Sequence, residues 1–360
     1  MKRAPKALGL FSGGLDSILA IKLVQEQGVG VTALHCVSPF FGKPDQVPHW
    51  QKLYDLDIEV IDVSEEFVHM LAQGPEHGFG SVLNPCVDCK IIMMQRARAI
   101  LEARGADFII SGEVLGQRPM SQRRDTLNII RRDAGVRDTL LRPLSARHMD
   151  QTAAEVSGLI DRERLLGISG RGRKAQMILA ERMGLVEIPT PGGGCRLAEK
   201  ENARSYWPVL RFTPHPAVDD FALANAGRQY WHVPDEGAAF RLIMGRNQED
   251  NTNILNLAGE RDLLFKTADF PGPIALGRFF GAEWLAAAVL SAAAFTASFS
   301  GKAVRHTGQS WEQGQDAIAV RVHPGSLDAP GQLVQVRPSR MPHFSWQELS
   351  WDVVRELIKK

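Results

Sequence analysis

The stretch LFSGGLDSILAIKL, Leu10–Leu23, decides the fold. It continues the short apolar run Ala7–Phe11. It then leads into a segment with apolar residues at Leu15, Ile18, Leu19, Ile21, Leu23 and Val24, which suits a helix with a broad buried face. A strand, a glycine-bearing turn and a helix together make an anion site. Gly13 and Gly14 have no Cβ, so backbone N–H groups can converge on a cluster of oxygens, and the helix start adds the positive end of its dipole. Ser12 and Ser17 offer hydroxyl donors. Asp16 beside a phosphate is repulsive unless a cation lies between, which points to Mg²⁺ or to a part in ordering the loop. A plain βα turn with Asp16 capping the helix would share the two glycines. The complete Ser-Gly-Gly-x-Asp-Ser after a first strand is the stronger signal.

Outward from this turn, strand and helix signals alternate. Val31–Val37, Ile58–Val63, Phe108–Ser111 and Thr139–Leu144 read as further strands. Asp88–Arg104, Ser121–Arg132, Gln151–Leu166 and Arg173–Met183 read as helices. Strands separated by helices imply βαβ units: an α/β fold with a parallel sheet and helices on both faces. After the breaker-rich IPTPGGGC, Ile188–Cys195, the character changes. RFTPHPAVDD, Arg211–Asp220, reads as a linker. Short strand-like runs follow at Ala239–Met244, Asp262–Lys266, Ala317–Val322 and Gln332–Arg337, with an Ala-rich helix, Leu285–Phe299, among them. The expected division is residues 1–212 and a smaller α+β domain, 213–360.

Composition narrows the class. The 360 residues are 44% hydrophobic and 23% charged, the values of an ordinary globular chain. No apolar run reaches 18 residues, so no membrane span is expected. Ser12-Gly13-Gly14 interrupts the apolar stretch behind Lys2 and Arg3, which argues against a signal peptide. A net charge of +1 gives no reason by itself to invoke nucleic acid. The charge is uneven, however: eight arginines stand against three aspartates between Arg118 and Arg147, and Arg162, Arg164, Arg171, Arg173 and Lys174 follow. Such a face would attract phosphate-rich ligands, or be a solvated surface with local ion pairs. Four cysteines are too few for a disulfide scaffold and suit a reducing cytoplasm, where Cys-x-x-Cys more often means metal or redox chemistry.

SGGLDS resembles the PP-loop of the N-type ATP pyrophosphatases. SGEVLGQRPMSQRRDTLNII, Ser111–Ile130, and LLRPLSARHMDQT, Leu140–Thr152, resemble the later signatures of the tRNA 4-thiouridine synthase family. The resemblance covers residues 7–185. It implies an adenine nucleotide alpha hydrolase-like fold and an enzyme that transfers AMP from ATP to a carbonyl oxygen of a tRNA base, usually a uridine. The carbon so activated is then attacked by sulfur. The family usually carries an RNA-binding module ahead of the PP-loop. Here the first strand comes almost at once, so RNA recognition would fall to the C-terminal region, where SGKAVRHTGQ, Ser300–Gln309, offers Lys302, Arg305 and His306.

The cysteines carry the sulfur question. NPCVDCK places Cys86 and Cys89 at a predicted helix start, where the dipole stabilises thiolates. Cys195 lies in a turn-rich loop. By resemblance to cluster-dependent tRNA thiolation enzymes, the three would ligate a [4Fe–4S] cluster and leave one iron open for sulfide. Zinc with a fourth ligand, a persulfide pathway needing no metal, and burial as small side chains are the other readings. Cys36, in a predicted buried strand, reads as core.

The resulting site assigns Ser12, Gly13, Gly14, Asp16 and Ser17 to the pyrophosphate of ATP. His35, near a strand end, is assigned to adenine or ribose. Gly112, Glu113 and Gln117 belong to the second signature, with Glu113 a ligand to metal or base or an anchor of its loop. Arg142 and Lys174 are candidates for phosphate contacts. Expected partners are tRNA and a sulfur donor, either inorganic sulfide or a cysteine desulfurase or sulfur carrier. A homodimer fits the same reading, and no membrane partner is expected. Two other classes compete: a PP-loop enzyme of small molecules (an amide ligase or a sulfur-insertion enzyme), and a non-catalytic RNA-binding or sulfur-carrier protein.

Overall fold

The computed structural model describes residues 3–189, 194–233, 239–280, 284–309, 317–341 and 344–352. The chain divides into two compact units, Met1–Ala198 and Glu199–Lys360. The first contains β1 (Lys6–Leu10), α1 (Leu15–Gln25), β2 (Gly30–Val37), α2 (Val47–Tyr54), β3 (Asp57–Asp62), α3 (Ser64–Gln73) and α4 (Cys86–Leu101). It continues with β4 (Phe108–Ser111), α5 (Arg124–Asp133), β5 (Leu140–Leu141), α6 (Ala153–Val156) and α7 (Lys174–Arg182). The second unit contains α8 (Lys200–Phe212), α9 (Val218–Ala224), β6 (Arg228–His232), β7 (Ala239–Met244), α10 (Gln248–Asn256), β8 (Leu263–Thr267) and β9 (Ala275–Phe280). Then come α11 (Ala286–Ala297), α12 (Gly301–Gln309), β10 (Ile318–Pro324) and β11 (Gln332–Val336).

The five strands of the first unit are all parallel, in the order β3-β2-β1-β4-β5. Their near-continuous apolar sequences follow from burial on both faces. Ala7, Val31, Ala33, Phe108 and Ile110 face one core with α1, α2 and α7. Leu8, Leu10, Leu34, Cys36 and Ile109 face the other with α4 and α5. The strand order reverses between β1 and β4, and the carboxyl ends of two such strands bound the ligand crevice of an open α/β sheet.

The second unit is a six-stranded antiparallel sheet, β11-β10-β8-β9-β7-β6, with helices packed on it: the expected smaller α+β arrangement. Phe240, Leu242 and Met244 face the alanines of α11, whereas Ile243, Leu264 and Leu276 face α9 and α10. Among the described residues no single helix is long and apolar enough to cross a membrane.

Two expectations shift, and a third is not reached by the described residues. The division falls at 198/199, not 212/213. The helix before the expected linker, α8, packs Tyr206 against Phe221 of α9, and Phe212 against Trp231 of β6. The helix expected over Gln151–Leu166 is one turn, α6, plus a 3-10 turn at Arg162–Arg164. A capping box between Thr152 and Glu155 starts α6, and Gly158 at φ +75° ends it, a conformation that L side chains adopt at a cost. Finally, most of the PTPGGG turn, residues 190–193, lies outside the described residues.

Candidate functional site

The turn after β1 is held by its own serines. Ser17 Oγ donates to the Gly14 carbonyl (2.7 Å) and lies 3.3 Å from the Ser12 N–H that donates to it. Gly14 is the N-cap of α1, and Gly13 adopts φ +74°, the left-handed region. A Cβ on Gly13 would also stand 2.7 Å from the Trp50 ring, so glycine is required twice over. The second signature meets this turn across the β1/β4 crevice. A Cβ on Gly112 would come within 2.6 Å of the Asp16 backbone, which is how closely the β4 exit runs along the first turn of α1.

Asp16 sits in that first turn. Gln117 Nε2 donates to its Oδ2 (2.7 Å), and Gln176 Nε2 donates in turn to Gln117 Oε1 (2.9 Å). Arg173 Nη2 stands 4.0 Å from the same Oδ2. Asp16 Oδ1 is buried and has no hydrogen-bond partner. A carboxylate with one oxygen fixed and the other open has the donor chemistry of a Mg²⁺ ligand.

Glu113 is fully buried and takes the Arg142 Nε–H on Oε2 (2.9 Å), while Oε1 has no partner. Burial alone would raise its carboxyl. The Arg142 and Lys90 charges, with hydrogen bonds from Arg142 and Ser111, outweigh burial and hold it below the usual carboxylate range. Arg142, whose Nη2 also donates to the Leu127 carbonyl (3.3 Å), points inward. It anchors the signature loop and does not face phosphate, contrary to expectation. Lys174 is exposed at the first position of α7.

His35 also departs from its assignment. Lys43 N–H donates to Nε2 (2.9 Å), so the proton is on Nδ1, which donates to the Phe11 carbonyl (3.0 Å). Burial lowers the imidazole's affinity for a proton, against the pull of the Phe11 carbonyl. Both nitrogens are committed to backbone. With Trp50 and Phe11 against it at ring distances of 5.2 and 6.1 Å, His35 props the turn after β1 and has no nitrogen left for a nucleotide.

The cysteines converge, for a topological reason. A helix that returns before β4 begins at the carboxyl edge of the sheet, and α4 begins at Cys86. Arg196 N–H donates to the Phe40 carbonyl beyond β2 (2.8 Å), and Leu83 N–H donates to the Leu197 carbonyl (3.1 Å). These two bonds bring Cys195 to the start of α4. Asn84 Nδ2 donates to Cys86 Sγ (3.1 Å). The Cys89 thiol is pushed far up, first by burial and then by the neighbouring Cys195, with Lys90 opposing and Cys86 and Cys36 adding to the rise. The helix start therefore does not make Cys89 a ready thiolate, as its position suggested; desolvation wins. A bound cation would reverse that balance. The donor types, three thiols from Cys86, Cys89 and Cys195, are those of a soft metal centre. The thiols are not closed into ligating positions: among the described residues no three His, Cys, Asp or Glu side chains stand close enough together to share a metal ion.

Sequence reasoning missed Gln176, fully buried at an amphipathic-looking position, and Trp50, which fills the space over Gly13. It also missed Lys90, whose charge acts on both Cys89 and Glu113 and whose one signal was its place directly after Cys89.

A model of the family described as "Thiamine biosynthesis protein (ThiI)" matches residues 3–156. The chain is 30% identical over 123 residues to a "Probable tRNA sulfurtransferase" of Streptococcus gordonii, covering 31% of this chain and 28% of that protein. It is 29% identical over 131 residues to the "tRNA-specific 2-thiouridylase MnmA" of Petrotoga mobilis, covering 31% of this chain and 35% of that one. The chain thus spans about a third of the length of these curated relatives. Among solved structures, it is similar to the "U34-tRNA thiolase NcsA from Methanococcus maripaludis with its [4Fe-4S] cluster". There the TM-score is 0.30 at 18% identity, over 53% of this chain and 61% of that one.

Proposed function

We propose that this chain, whose N-terminal unit is a PP-loop domain of the ThiI kind, is an ATP-dependent tRNA sulfurtransferase that replaces a carbonyl oxygen of a uridine or similar base with sulfur. The observation that carries this reading is the meeting of the two signatures at the β1/β4 switch point: Gly112 against the backbone of Asp16, and Gln117 on its carboxylate. Three thiols lie at the same carboxyl edge.

In this reading the α1 turn cradles the phosphates. The base oxygen bonds to the α-phosphorus, and pyrophosphate leaves with the electron pair of the broken bond. A sulfur nucleophile then adds to the activated carbon, and AMP departs with the former carbonyl oxygen. Gln117 and Gln176 hold the Asp16 carboxylate by Oδ2, which leaves the buried Oδ1 as the oxygen that Mg²⁺ would take. The Glu113–Arg142 pair fixes the loop beneath it. Cys86, Cys89 and Cys195 would hold a [4Fe–4S] cluster, which supplies an open iron for the incoming sulfur. Asn84 orients Cys86, and Lys90 offsets the negative charge of the thiolates.

A persulfide route through the same cysteines is the second reading, because the thiols are not closed into a metal site. The partners are tRNA and a sulfur donor, with the second unit, Glu199–Lys360, as the RNA-binding part, in the cytoplasm.

The test is anaerobic purification with iron and acid-labile sulfide counted per chain, followed by incubation with unmodified tRNA, MgATP and sulfide. About four irons, lost in Cys86→Ala, Cys89→Ala and Cys195→Ala, with sulfur entering tRNA, is the expected result. Thiolation without iron, when a cysteine desulfurase hands over persulfide sulfur in place of sulfide, selects the persulfide route. Pyrophosphate release that never depends on tRNA overturns the reading in favour of a small-molecule substrate.

A further inference from the structure

The loop SGRGRK, Ser169–Lys174, has no role in that reading, yet it is built against the nucleotide crevice. Ser145 clamps its approach: its Oγ donates to the Ile168 carbonyl (2.7 Å) and accepts the Leu115 N–H (3.0 Å). Gly170 N–H donates to the Leu115 carbonyl (2.7 Å), and Ser169 bridges Leu115 in parallel. Gly116 and Gly170 both have positive φ, +77° and +87°, and a Cβ on Gly116 would lie 3.5 Å from the Gly170 nitrogen. The two turns therefore lie back to back, and glycine at both lets them.

This packing delivers the start of α7 to the start of α1 by two independent routes. One is the amide chain from Gln176 through Gln117 to Asp16. The other is Arg173, whose Nη2 stands 4.0 Å from Asp16 Oδ2. That distance is a Coulombic approach and not a hydrogen bond. The Arg173 side chain is 30% exposed, so a polyanion can reach its donors. Arg171 and Lys174 are exposed on the same loop. Across from them, Asp16 Oδ1 is buried without a partner. A guanidinium with donors to give and a carboxylate with an open oxygen, side by side, match one ligand class: a polyphosphate carrying a divalent cation, which presents both signs of charge.

We propose that the Ser169–Lys174 loop is the second wall of the nucleotide site and that Arg173 binds the β,γ-phosphates of ATP. This rests on the nucleotide reading given above. The α-phosphorus gains a bond to the base oxygen and loses its bond to the α,β-bridging oxygen, whose electron pair goes to pyrophosphate. Arg173 meets that growing charge with a planar fork that takes two oxygens, which lysine cannot imitate. Gln176 is a positioning residue: it holds Gln117, and Gln117 holds Asp16.

Titration calorimetry on the full chain, with MgATP, AMP and inorganic pyrophosphate as separate ligands, tests this. Arg173→Ala should bind MgATP and pyrophosphate at least tenfold more weakly and AMP within twofold of the parent, and Arg173→Lys should recover only part of the loss. Unchanged MgATP affinity in Arg173→Ala would overturn the proposal while leaving the nucleotide site standing. Equal loss for AMP and MgATP would do the same, by making the loop merely structural. A parent chain that binds neither MgATP nor AMP would overturn the nucleotide reading itself, and the proposal with it.

Discussion

Two buried polar clusters in this molecule differ in what they leave unsatisfied. In the second unit, Arg278 donates Nε and Nη2 to the two oxygens of Asp262 (2.8 and 2.7 Å) and Nη1 to Asp220 (2.7 Å). The remaining carboxylate lone pairs take backbone N–H groups of Ala217 and Gly259 (2.9 and 2.8 Å). Burial works against the Arg278 charge, but the hydrogen bonds and charges of Asp262 and Asp220 outweigh it. Arg241, pushed down to about 9 by burial, lies over the Trp231 ring at 5.4 Å and donates to Gln229 and to the Asp220 carbonyl. Every carboxylate oxygen in this cluster has a donor, the unpaired buried atoms being donors, Arg241 Nη2 and Trp231 Nε1, and the cluster ties α9 to β6, β7 and β9. At the β1/β4 crevice the reverse holds: Asp16 Oδ1, Glu113 Oε1 and Gln176 Oε1 are buried acceptors without donors. A closed cluster is architecture. A cluster with open acceptors is waiting for a cation or a donor that the chain does not supply.

Asp16→Asn should break the open cluster with the largest effect. The amide keeps an acceptor for Gln117 but cannot bind Mg²⁺ as a charged ligand. ATP–pyrophosphate exchange should fall by about 10³-fold or more, the scale of losing a main electrostatic group at a reacting phosphate. Denaturant midpoints should stay within about 1 kcal/mol of the parent, since one neutral hydrogen bond replaces a charged one. A large loss of stability with exchange intact would place Asp16 among the architectural residues.

Arg278→Ala should break the closed cluster the other way. It strands two buried carboxylates, which costs about 3–5 kcal/mol. Chemical denaturation should show the second unit unfolding early, and MgATP affinity, which depends on the first unit, should stay within twofold.

The contrast also explains what the sequence revealed. Where a residue's role is local, it was readable: Ser12 to Ser17 announce the turn because strand, glycines and helix follow in order, and the parallel sheet follows from apolar runs spaced by helices. The strands Asp262–Lys266 and Gln332–Arg337 lie within a residue of β8 and β11 for the same reason. Where the role depends on a distant partner, it was not. Arg142 reads as one more arginine in a basic stretch until β5 places it under Glu113. His35 reads as a free strand-end imidazole until Lys43 and Phe11 claim its nitrogens. In the second unit β6 and β9 went unread, because RQYWH buries the polar Gln229 and ALGRFF carries the charge of Arg278 at a half-buried position. That charge is tolerable only because Arg278 and its partners close on one another across strands.

Glu113→Gln sharpens the comparison at an intermediate position, being paired on one oxygen and open on the other. Leaving Arg142 buried beside a neutral amide should cost about 2–3 kcal/mol. The folded carboxyl lies below its unfolded value, so the stabilisation is complete above the ordinary carboxylate range and disappears as pH falls through the folded value. Parent and variant should therefore differ most near neutrality and converge in acid, as read by denaturation midpoints at a series of pH values. A gap that stays constant into acid would mean that Glu113 acts by shape and not by charge.

Cys36→Ala should have the smallest effect, and it tests where the thiol site ends. Cys36 is buried with Leu8, Leu34 and Val87 at the end of β2, and burial pushes its thiol up to about 11, against the pull of Lys90 and Arg96. At neutral pH it is an uncharged thiol, and such a thiol behaves as a small hydrophobe. Removing its sulfur leaves a cavity worth about 1–2 kcal/mol. Iron content and tRNA thiolation should stay within twofold of the parent, whereas Cys89→Ala should lose both. If Cys36→Ala instead loses iron while its denaturation midpoint holds, the thiol group has a fourth member. Closure would then no longer separate architecture from chemistry at this edge of the sheet, because a residue packed as core would be acting as a ligand.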